Sequence, residues 1–182
     1  MKKIVSLLLT LVTVTALCLF AVSCSGEQTA PDGMMRVTAA NESYHFYVPS
    51  DWQDQSNSGV SSARFGNNED KSNVSVTRYL PNTVQEGSAD FYWGNFLKPS
   101  YEKQYGESFR LIEEGVAATM GGLTAKKYVY EMAFGGVQYK QMQVLMQAPN
   151  ADLYIFTYTA KPDYFDAHLD AVKSMLAEFR LG

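Results

Sequence analysis

Ser100 and Lys103 have the Ser-x-x-Lys spacing with which penicillin-recognising enzymes activate a serine nucleophile through a lysine. The Lys-Thr-Gly and Ser-Asp-Asn motifs that accompany this pair are absent from the sequence, and so is the Gly-x-Ser-x-Gly motif of hydrolases. The chain is also short for a penicillin-recognising enzyme. We therefore expect Ser100 and Lys103 to lie on the surface of a helix. An envelope hydrolase that uses them is the alternative to a non-catalytic protein.

Two histidines, His45 and His168, could act as general bases or as metal ligands. Neither belongs to a His-x-x-x-His or His-Glu-x-x-His pair, so the sequence argues against a zinc enzyme. The surrounding patterns predict that His45 is half-exposed on an early strand and that His168 flanks the apolar face of the last helix. A hydrolase that uses His45 is a further alternative.

Residues 67–70, Asn-Asn-Glu-Asp, form an acidic and amide-rich segment between two predicted strands. Closely spaced oxygen ligands on a loop could hold calcium weakly. The Asp-x-Asp-x-Asp-Gly pattern of calcium loops is absent, however, so we expect a solvated turn and no metal site. A weak divalent-metal-binding protein is kept as an alternative. Glu113 and Glu114 are expected at an exposed strand end.

Aromatic side chains are plentiful, with 12 tyrosines, 10 phenylalanines and 2 tryptophans. Some of them could line a groove for a peptide, a glycan or a lipid, although core packing with hydroxyl groups at the rim explains them equally well. The candidate groove residues are Tyr92, Trp93, Tyr101, Tyr105, Tyr128, Tyr130 and Tyr139.

Cys24 follows a leader that is typical of secreted proteins. Two lysines precede an apolar run, residues 4–22, that is about long enough to cross a bilayer. The small residues Ala21 and Ser23 surround the end of this run, directly before Cys24. The arrangement resembles the site at which bacterial lipoproteins are acylated and cleaved, with Ala21 where that pattern has a Leu-like residue. An uncleaved anchor and ordinary secretion are the alternatives.

Acylation of Cys24 would leave the mature domain without a thiol, because Cys18 would be removed with the leader. A disulfide framework, a cysteine nucleophile and a cysteine-ligated metal are then excluded. We predict a signal peptide at residues 1–23, a flexible tether at residues 24–33 and a single domain at residues 34–182. Two or three acyl chains hold a protein on a membrane stably where one chain does not.

The charge of the chain argues against nucleic acid as a partner. The sequence has 15 basic and 19 acidic residues, and removal of the leader with its two lysines leaves 13 basic residues and a net charge of about −6. No basic cluster is present in the sequence. Nucleic acids and anionic membrane surfaces are therefore poor electrostatic partners.

Strand patterns dominate the domain. Alternating or continuously apolar runs bounded by Gly, Pro and Asn predict strands at residues 34–39, 43–48, 60–65, 73–80, 109–116, 125–134, 137–147 and 153–159, with a polar loop at residues 53–58. The last runs are apolar on both sides, which is typical of strands in the middle of a sheet covered on both faces.

Two helices interrupt and end this series. One is predicted from Ala89 to Gly106, capped by Ser88 and kinked or split by Pro99. The other begins at Pro162, and its apolar residues recur at spacings of three and four up to Phe179. The fold class that we predict is α+β, an antiparallel β-sheet with helices packed on its faces.

Four segments in this order resemble the PsbP-like fold, which includes the PsbP extrinsic subunit of photosystem II and bacterial lipoproteins related to DcrB. They are residues 46–52 (Phe-Tyr-Val-Pro-Ser-Asp-Trp), 121–128, 154–160 and 175–180. The resemblance implies an α/β/α sandwich and an accessory or binding role. It implies no catalytic residue, because these segments are structural signatures in that family.

Together these observations predict a membrane-anchored lipoprotein of the cell envelope. We expect a non-catalytic accessory or binding module, without a cofactor, on the extracytoplasmic face of the cell membrane. Its partners would be the membrane, through acyl chains on Cys24, and an envelope protein.

Overall fold

A computed structural model describes residues 29–182 of the chain. The predicted signal peptide, Cys24 and the first part of the predicted tether lie outside the described residues. The strands are β1 Met34–Arg36, β2 Tyr47–Pro49, β3 Trp52–Asp54, β4 Val60–Phe65, β5 Asn73–Tyr79, β6 Arg110–Met120, β7 Leu123–Phe134, β8 Val137–Gln147 and β9 Leu153–Ala160. The helices are α1 Ala89–Tyr92, α2 Lys98–Tyr105, α3 Pro162–Phe165 and α4 Leu169–Glu178, with a π-helical turn at Trp93–Leu97 and 3-10 turns at Gly106–Ser108 and Asp166–His168.

Seven strands form one antiparallel sheet in the order β3-β4-β5-β9-β8-β7-β6, and β1 and β2 pair separately. The pairing of β5 with β9 is the one that joins strands distant in sequence. The tight turns before β7 and β8 are the predicted glycine pairs, and Gly121 and Gly122 have φ of 59° and 76°. Such positive φ values favour glycine because it has no Cβ. The predicted α+β class with an antiparallel sheet is confirmed.

The first face of the sheet packs against the β1–β2 hairpin and the C-terminal helices. Phe46 of the hairpin contacts Phe156 of β9 edge-on, with ring centroids 6.0 Å apart. Val172 and Met175 of α4 are fully buried in the same cluster. Each such side chain contributes roughly 1.5–3 kcal/mol through removal from water. This face therefore forms the larger core of the domain.

The second face is covered by the helical segment from Ala89 to Tyr105. Ser88 caps α1 by accepting a hydrogen bond from the Phe91 N–H at 3.4 Å, as predicted. The predicted break at Pro99 takes the form of the π-helical turn just before it, in which the Lys98 N–H donates to the Trp93 carbonyl. The widened turn accommodates a residue that has no N–H and whose ring crowds the carbonyl four residues earlier.

Strand β9 shows why the sheet needs cover on both sides. Tyr154, Phe156 and Tyr158 are buried in the first-face core, whereas Leu153 and Ile155 are buried under the helical segment on the second face. The two-sided apolar pattern thus predicted correctly a strand in the interior of the sheet.

Three sequence predictions were wrong in detail. Residues 53–58 were predicted to be a loop, but Trp52–Asp54 is a strand paired with β4. Burial of Trp52 in the core draws the residues after it into the sheet. The first hairpin is much shorter than predicted and pairs Met34 with Pro49. The last helix is divided by the 3-10 turn that holds His168.

Among residues 29–182, no helix has the length and apolarity required to cross a membrane.

Candidate functional site

Stacked aromatic rings fill the space between the helical segment and the second face. The Trp93 indole stacks on the Tyr128 ring with centroids 4.2 Å apart and planes inclined by 18°. Its Nε1–H donates to Glu114 Oε1 at 2.9 Å, which satisfies the polar end of the ring. Offset stacking of this kind contributes about 0.5–1.5 kcal/mol beyond the burial of area. The pair fixes the helical segment on β7.

Tyr130 lies at the centre of the same layer. Its ring centroid is 5.1 Å from that of Tyr101, and burial raises the pKa of the Tyr130 hydroxyl far above its usual range. The hydroxyl donates to Gln141 Oε1, and Gln141 Nε2 donates in turn to Thr159 Oγ1 at 2.8 Å. A chain of hydrogen bonds therefore leads from the aromatic layer across β8 to β9.

The predicted groove residues all belong to this one aromatic cluster. Trp93, Tyr128 and Tyr130 are buried, and their rings pack against one another. The half-buried members are Tyr92, Tyr101, Tyr105 and Tyr139. The rings therefore form a core layer, and Tyr105 and Tyr139 are the two that reach an open cavity.

This cavity has a volume of about 520 Å³ and lies between the end of α2 and the second face. Ligand pockets in proteins typically have about 300–1,000 Å³. Its lining, called the cavity wall below, has a polar part of Arg64, Lys71, Asn73, Gln104 and Thr159 and an apolar part of Tyr105, Met132, Phe134 and Tyr139.

The register of the sheet assembles the polar part of the cavity wall. Arg64 of β4 lies opposite Asn73 of β5, Asn73 lies opposite Thr159 of β9, and Thr159 lies opposite Gln141 of β8. Residues directly opposite each other in a ladder share a face of the sheet. Three of these strands thus present one row of polar side chains toward the cavity, and Gln141 continues the row beyond it. On the other side, Tyr139 of β8 lies opposite Met132 of β7.

The cavity wall is positively charged although the protein is acidic. Arg64 and Lys71 line it, and none of its side chains is a carboxylate. Within residues 29–182 neither cation lies in an ion pair with Asp or Glu. Arg64 Nη2 donates to Gln53 Oε1 at 3.0 Å, while its Nε is buried without an acceptor. An anion in the cavity would therefore meet cations that no described acidic group neutralises.

The chain enters the domain near this wall. The Gly33 carbonyl accepts hydrogen bonds from the Ser50 N–H at 3.0 Å and from its hydroxyl at 2.9 Å. Two residues later Trp52 pairs with Phe65, the neighbour of Arg64. The entry point and the Arg64 end of the cavity therefore share one end of the sheet.

The candidate catalytic residues lie elsewhere. Ser100 and Lys103 are exposed on α2, as predicted, and neither lines the cavity. His45 pairs through its backbone with Arg180 and belongs to the segment that covers the first face. Burial of its ring, with nearby Arg36 and Arg180, lowers the pKa of His45. The structure does not bring these three residues together in the cavity.

Asp70 and His168 form a pair that the sequence did not predict. Asp70 is 3% exposed, although residues 67–70 were predicted to be a solvated turn, and His168 Nε2 lies 2.5 Å from Asp70 Oδ2. The ring of His168 packs 4.4 Å from that of Phe65, and the residue lies in the 3-10 turn directly before α4. The two residues are 98 positions apart, and no local pattern signals their contact.

Hydrogen bonds determine the charge state of Asp70. Burial alone would raise the pKa of this carboxyl, but hydrogen bonds from Ser72 and His168 outweigh burial and hold the pKa below its usual range. Ser72 donates to Oδ1 through its N–H at 2.9 Å and its hydroxyl at 2.6 Å. Asp70 is thus a structural acceptor. Among the described residues, no group of three His, Cys, Asp or Glu side chains is placed to hold a metal ion.

Comparisons with known proteins support the fold. The cyanobacterial PsbP of Synechocystis sp. PCC 6803 superposes with a TM-score of 0.57 at 19% identity, over 88% of this chain and 98% of that chain. The protein of unknown function PA94 from Pseudomonas aeruginosa gives a TM-score of 0.51 at 18% identity, over 80% and 94%. No family model matches the sequence, and no curated protein matches it.

These likenesses, together with the order of the strands and helices, show that the chain has the PsbP-like fold. The resemblance predicted from four short segments of sequence is therefore confirmed at the level of the fold. Activity and ligand do not follow from a shared fold, because function depends on the residues of the site.

Proposed function

We propose that this protein is a non-catalytic binding module of the cell envelope, held on the extracytoplasmic face of the membrane by acyl chains on Cys24. The observation that carries the binding role is the cavity of about 520 Å³ with two cations on one side and aromatic rings on the other. A cavity of this size with a few polar groups is typical of small-molecule sites.

The absence of a catalytic set in the cavity wall supports a binding role over an enzymatic one. Thr159 supplies the hydroxyl of the wall that has a hydrogen-bond partner. Its Oγ1 accepts a hydrogen bond from the Gln141 side chain, and an amide cannot act as a base. Nucleophilic catalysis needs a base within hydrogen-bond reach of the nucleophile. Ser100, Lys103 and His45 lie outside the wall.

The proposed tether limits how far the domain would lie from the membrane. Residues 24–33 reach at most about 35 Å when fully extended, at 3.3–3.6 Å per residue. The chain enters the domain at the Arg64 end of the sheet, and we propose that this end faces the membrane. The cavity would then open close to the lipid surface, where an accessory module could receive or deliver a ligand.

Fractionation of cells tests the anchor. The wild-type protein should sediment with membranes, and the Cys24→Ser chain should be found in the soluble or secreted fraction with an unchanged melting temperature. Cys18→Ser is the matched control and should stay with the membranes, since Cys18 belongs to the predicted leader. Soluble wild-type protein, or membrane retention of a Cys24→Ser chain whose leader has been removed, would contradict lipid anchoring.

A ligand screen tests the binding role. Thermal-shift measurements on the Cys24→Ser chain should find ligands that stabilise the wild-type cavity but do not stabilise a chain with the cavity filled by Thr159→Trp. The non-catalytic role is contradicted if the purified protein turns over a substrate and either Ser100→Ala or His45→Ala abolishes that turnover.

A further inference from the structure

We infer that the cavity binds an amphipathic carboxylate, with the carboxylate held by Arg64 and Lys71 and the apolar body held by the aromatic side of the wall. This inference rests on the proposed binding role and names the class of its ligand. It is carried by three features of the cavity wall: its unpaired cations, its hydroxyl and amide donors, and its apolar rim.

The cations define the charge and shape of the ligand. Arg64 lines the cavity, its described side-chain hydrogen bond goes to the neutral amide of Gln53, and it forms no ion pair within residues 29–182. The planar guanidinium matches the two oxygens of a carboxylate, whereas Lys71 acts as a point charge. Lys71 is exposed and lies seven residues further along the β4–β5 hairpin. A carboxylate placed between them would lie against both cations and offset one of their two positive charges.

The neighbouring polar side chains can complete the head-group site. Thr159 Oγ1 accepts from Gln141 Nε2 at 2.8 Å, so its own hydroxyl hydrogen is free to donate to a ligand. Asn73 stands between Arg64 and Thr159 in the row across the sheet, and its Nδ2 donates to the Lys71 carbonyl at 3.2 Å. This side of the wall therefore supplies donors where a carboxylate needs them.

The opposite side is suited to an acyl chain or an apolar ring. Met132 is buried at the base of the wall, and Tyr105 and Tyr139 are half-buried beside it. Phe134 is 64% exposed at the rim, and Val137, its partner across the β7–β8 hairpin, is 37% exposed. An apolar ligand body would remove these side chains from water, which is favourable in proportion to the area covered.

Calorimetric titration of the Cys24→Ser chain tests this inference, with decanoate as the probe. Decan-1-ol has the same chain without the charge, and butyrate has the charge without the chain. We expect saturable one-to-one binding of decanoate and at least about tenfold weaker binding of both comparison compounds. Decan-1-ol lacks a charge-assisted hydrogen bond, worth about 1.5–3 kcal/mol, and butyrate lacks methylene groups that each contribute about 0.8 kcal/mol when buried.

Variants of the cations assign the head group. Arg64→Gln should weaken decanoate binding about tenfold or more, and Lys71→Gln should weaken it less. Lys103→Gln removes an exposed lysine of α2 outside the wall and should leave binding unchanged. If circular dichroism shows that Arg64→Gln is not folded, Lys71→Gln and Phe134→Ser replace it, because both residues are exposed. Both substitutions should weaken decanoate binding.

The inference is overturned if decanoate does not bind, if decan-1-ol binds equally well, or if neither cation variant weakens binding. These failures are distinct from a failure of the proposed function. A screen that finds a neutral cavity ligand, together with Cys24-dependent membrane fractionation, would preserve the binding module and reject the carboxylate.

Discussion

His168 Nε2 lies 2.5 Å from Asp70 Oδ2, and this contact joins the β4–β5 hairpin to the 3-10 turn between α3 and α4. The carboxyl is 3% exposed, and Phe65 and Trp52 pack against the imidazole ring. The pair links two segments that no strand pairing connects. It therefore attaches the C-terminal helices to the edge of the sheet that carries Arg64.

Asp70→Asn should destabilise the domain by about 1.5–3 kcal/mol, because the amide replaces a charged acceptor of three hydrogen bonds with a weaker one. Urea denaturation measures the free energy of unfolding. Glu69→Gln is the matched control on the same hairpin, since Glu69 is exposed, and it should change the stability by less than about 0.5 kcal/mol. Equal stability of the two variants would show that the buried pair contributes nothing.

The same pair predicts a loss of stability in acid. The pKa of Asp70 is lower in the folded chain than its ordinary value of 3.8, so the unfolded chain takes up the proton first as the pH falls. The contribution of Asp70 is thus fully present above about pH 5 and is lost as the pH falls through 3.8 toward the lowered pKa. The free energy of unfolding, measured from pH 6 to pH 2.5, should fall more steeply for the wild type than for Asp70→Asn.

The free energy of unfolding of the variant should still fall somewhat over this range, because hydrogen bonds from Trp93 and Lys98 also lower the pKa of Glu114. Parallel curves would contradict the assignment.

Trp93→Ala should cost about 3–5 kcal/mol, because it leaves a cavity under the helical segment and removes the stack on Tyr128. Phe96→Ala, three residues later in the same π-helical turn, removes a ring that is 47% exposed and should cost far less. Thermal and urea unfolding of the two variants compare them directly. A similar loss in both would show that the aromatic layer is not a packed core.

Adjacent glycines in the β6–β7 turn should respond differently to alanine. Both have positive φ, which alone costs a residue with a Cβ about 1–2 kcal/mol. A Cβ on Gly121 would lie 2.5 Å from the Phe179 carbonyl oxygen, whereas one on Gly122 would meet no atom within 4 Å. Gly121→Ala should therefore destabilise the domain clearly more than Gly122→Ala. The reverse order would contradict the close docking of the C-terminal segment on this turn.

Local patterns were sufficient to predict most of the sheet. Glycine pairs predicted the β6–β7 and β7–β8 turns, and the two-sided apolar runs of β8 and β9 predicted an interior position in the sheet. Strand β3 was missed because residues 53–58 are polar and the signal for a strand is limited to buried Trp52. A three-residue strand whose cause is a tertiary contact has no periodicity to detect.

The cavity could not be predicted, for a related reason. The aromatic residues that suggested a groove were named from the sequence, and most of them pack in the core. The charged side of the wall comes from Arg64 and Lys71, whose neighbours Asn73 and Thr159 are set by the pairing of β5 with β9 across about 80 residues. The two cations come from one hairpin, but long-range register is what places them beside Thr159 and the aromatic side of the wall.

Amide chemical shifts of the Cys24→Ser chain, titrated with decanoate, show whether the cavity is the binding site. Binding in the cavity predicts saturable shifts concentrated at Arg64, Lys71, Tyr139 and Thr159, with the first face of the sheet unchanged. Shifts spread over the whole surface, shifts centred on the C-terminal helices, or none at all would contradict it.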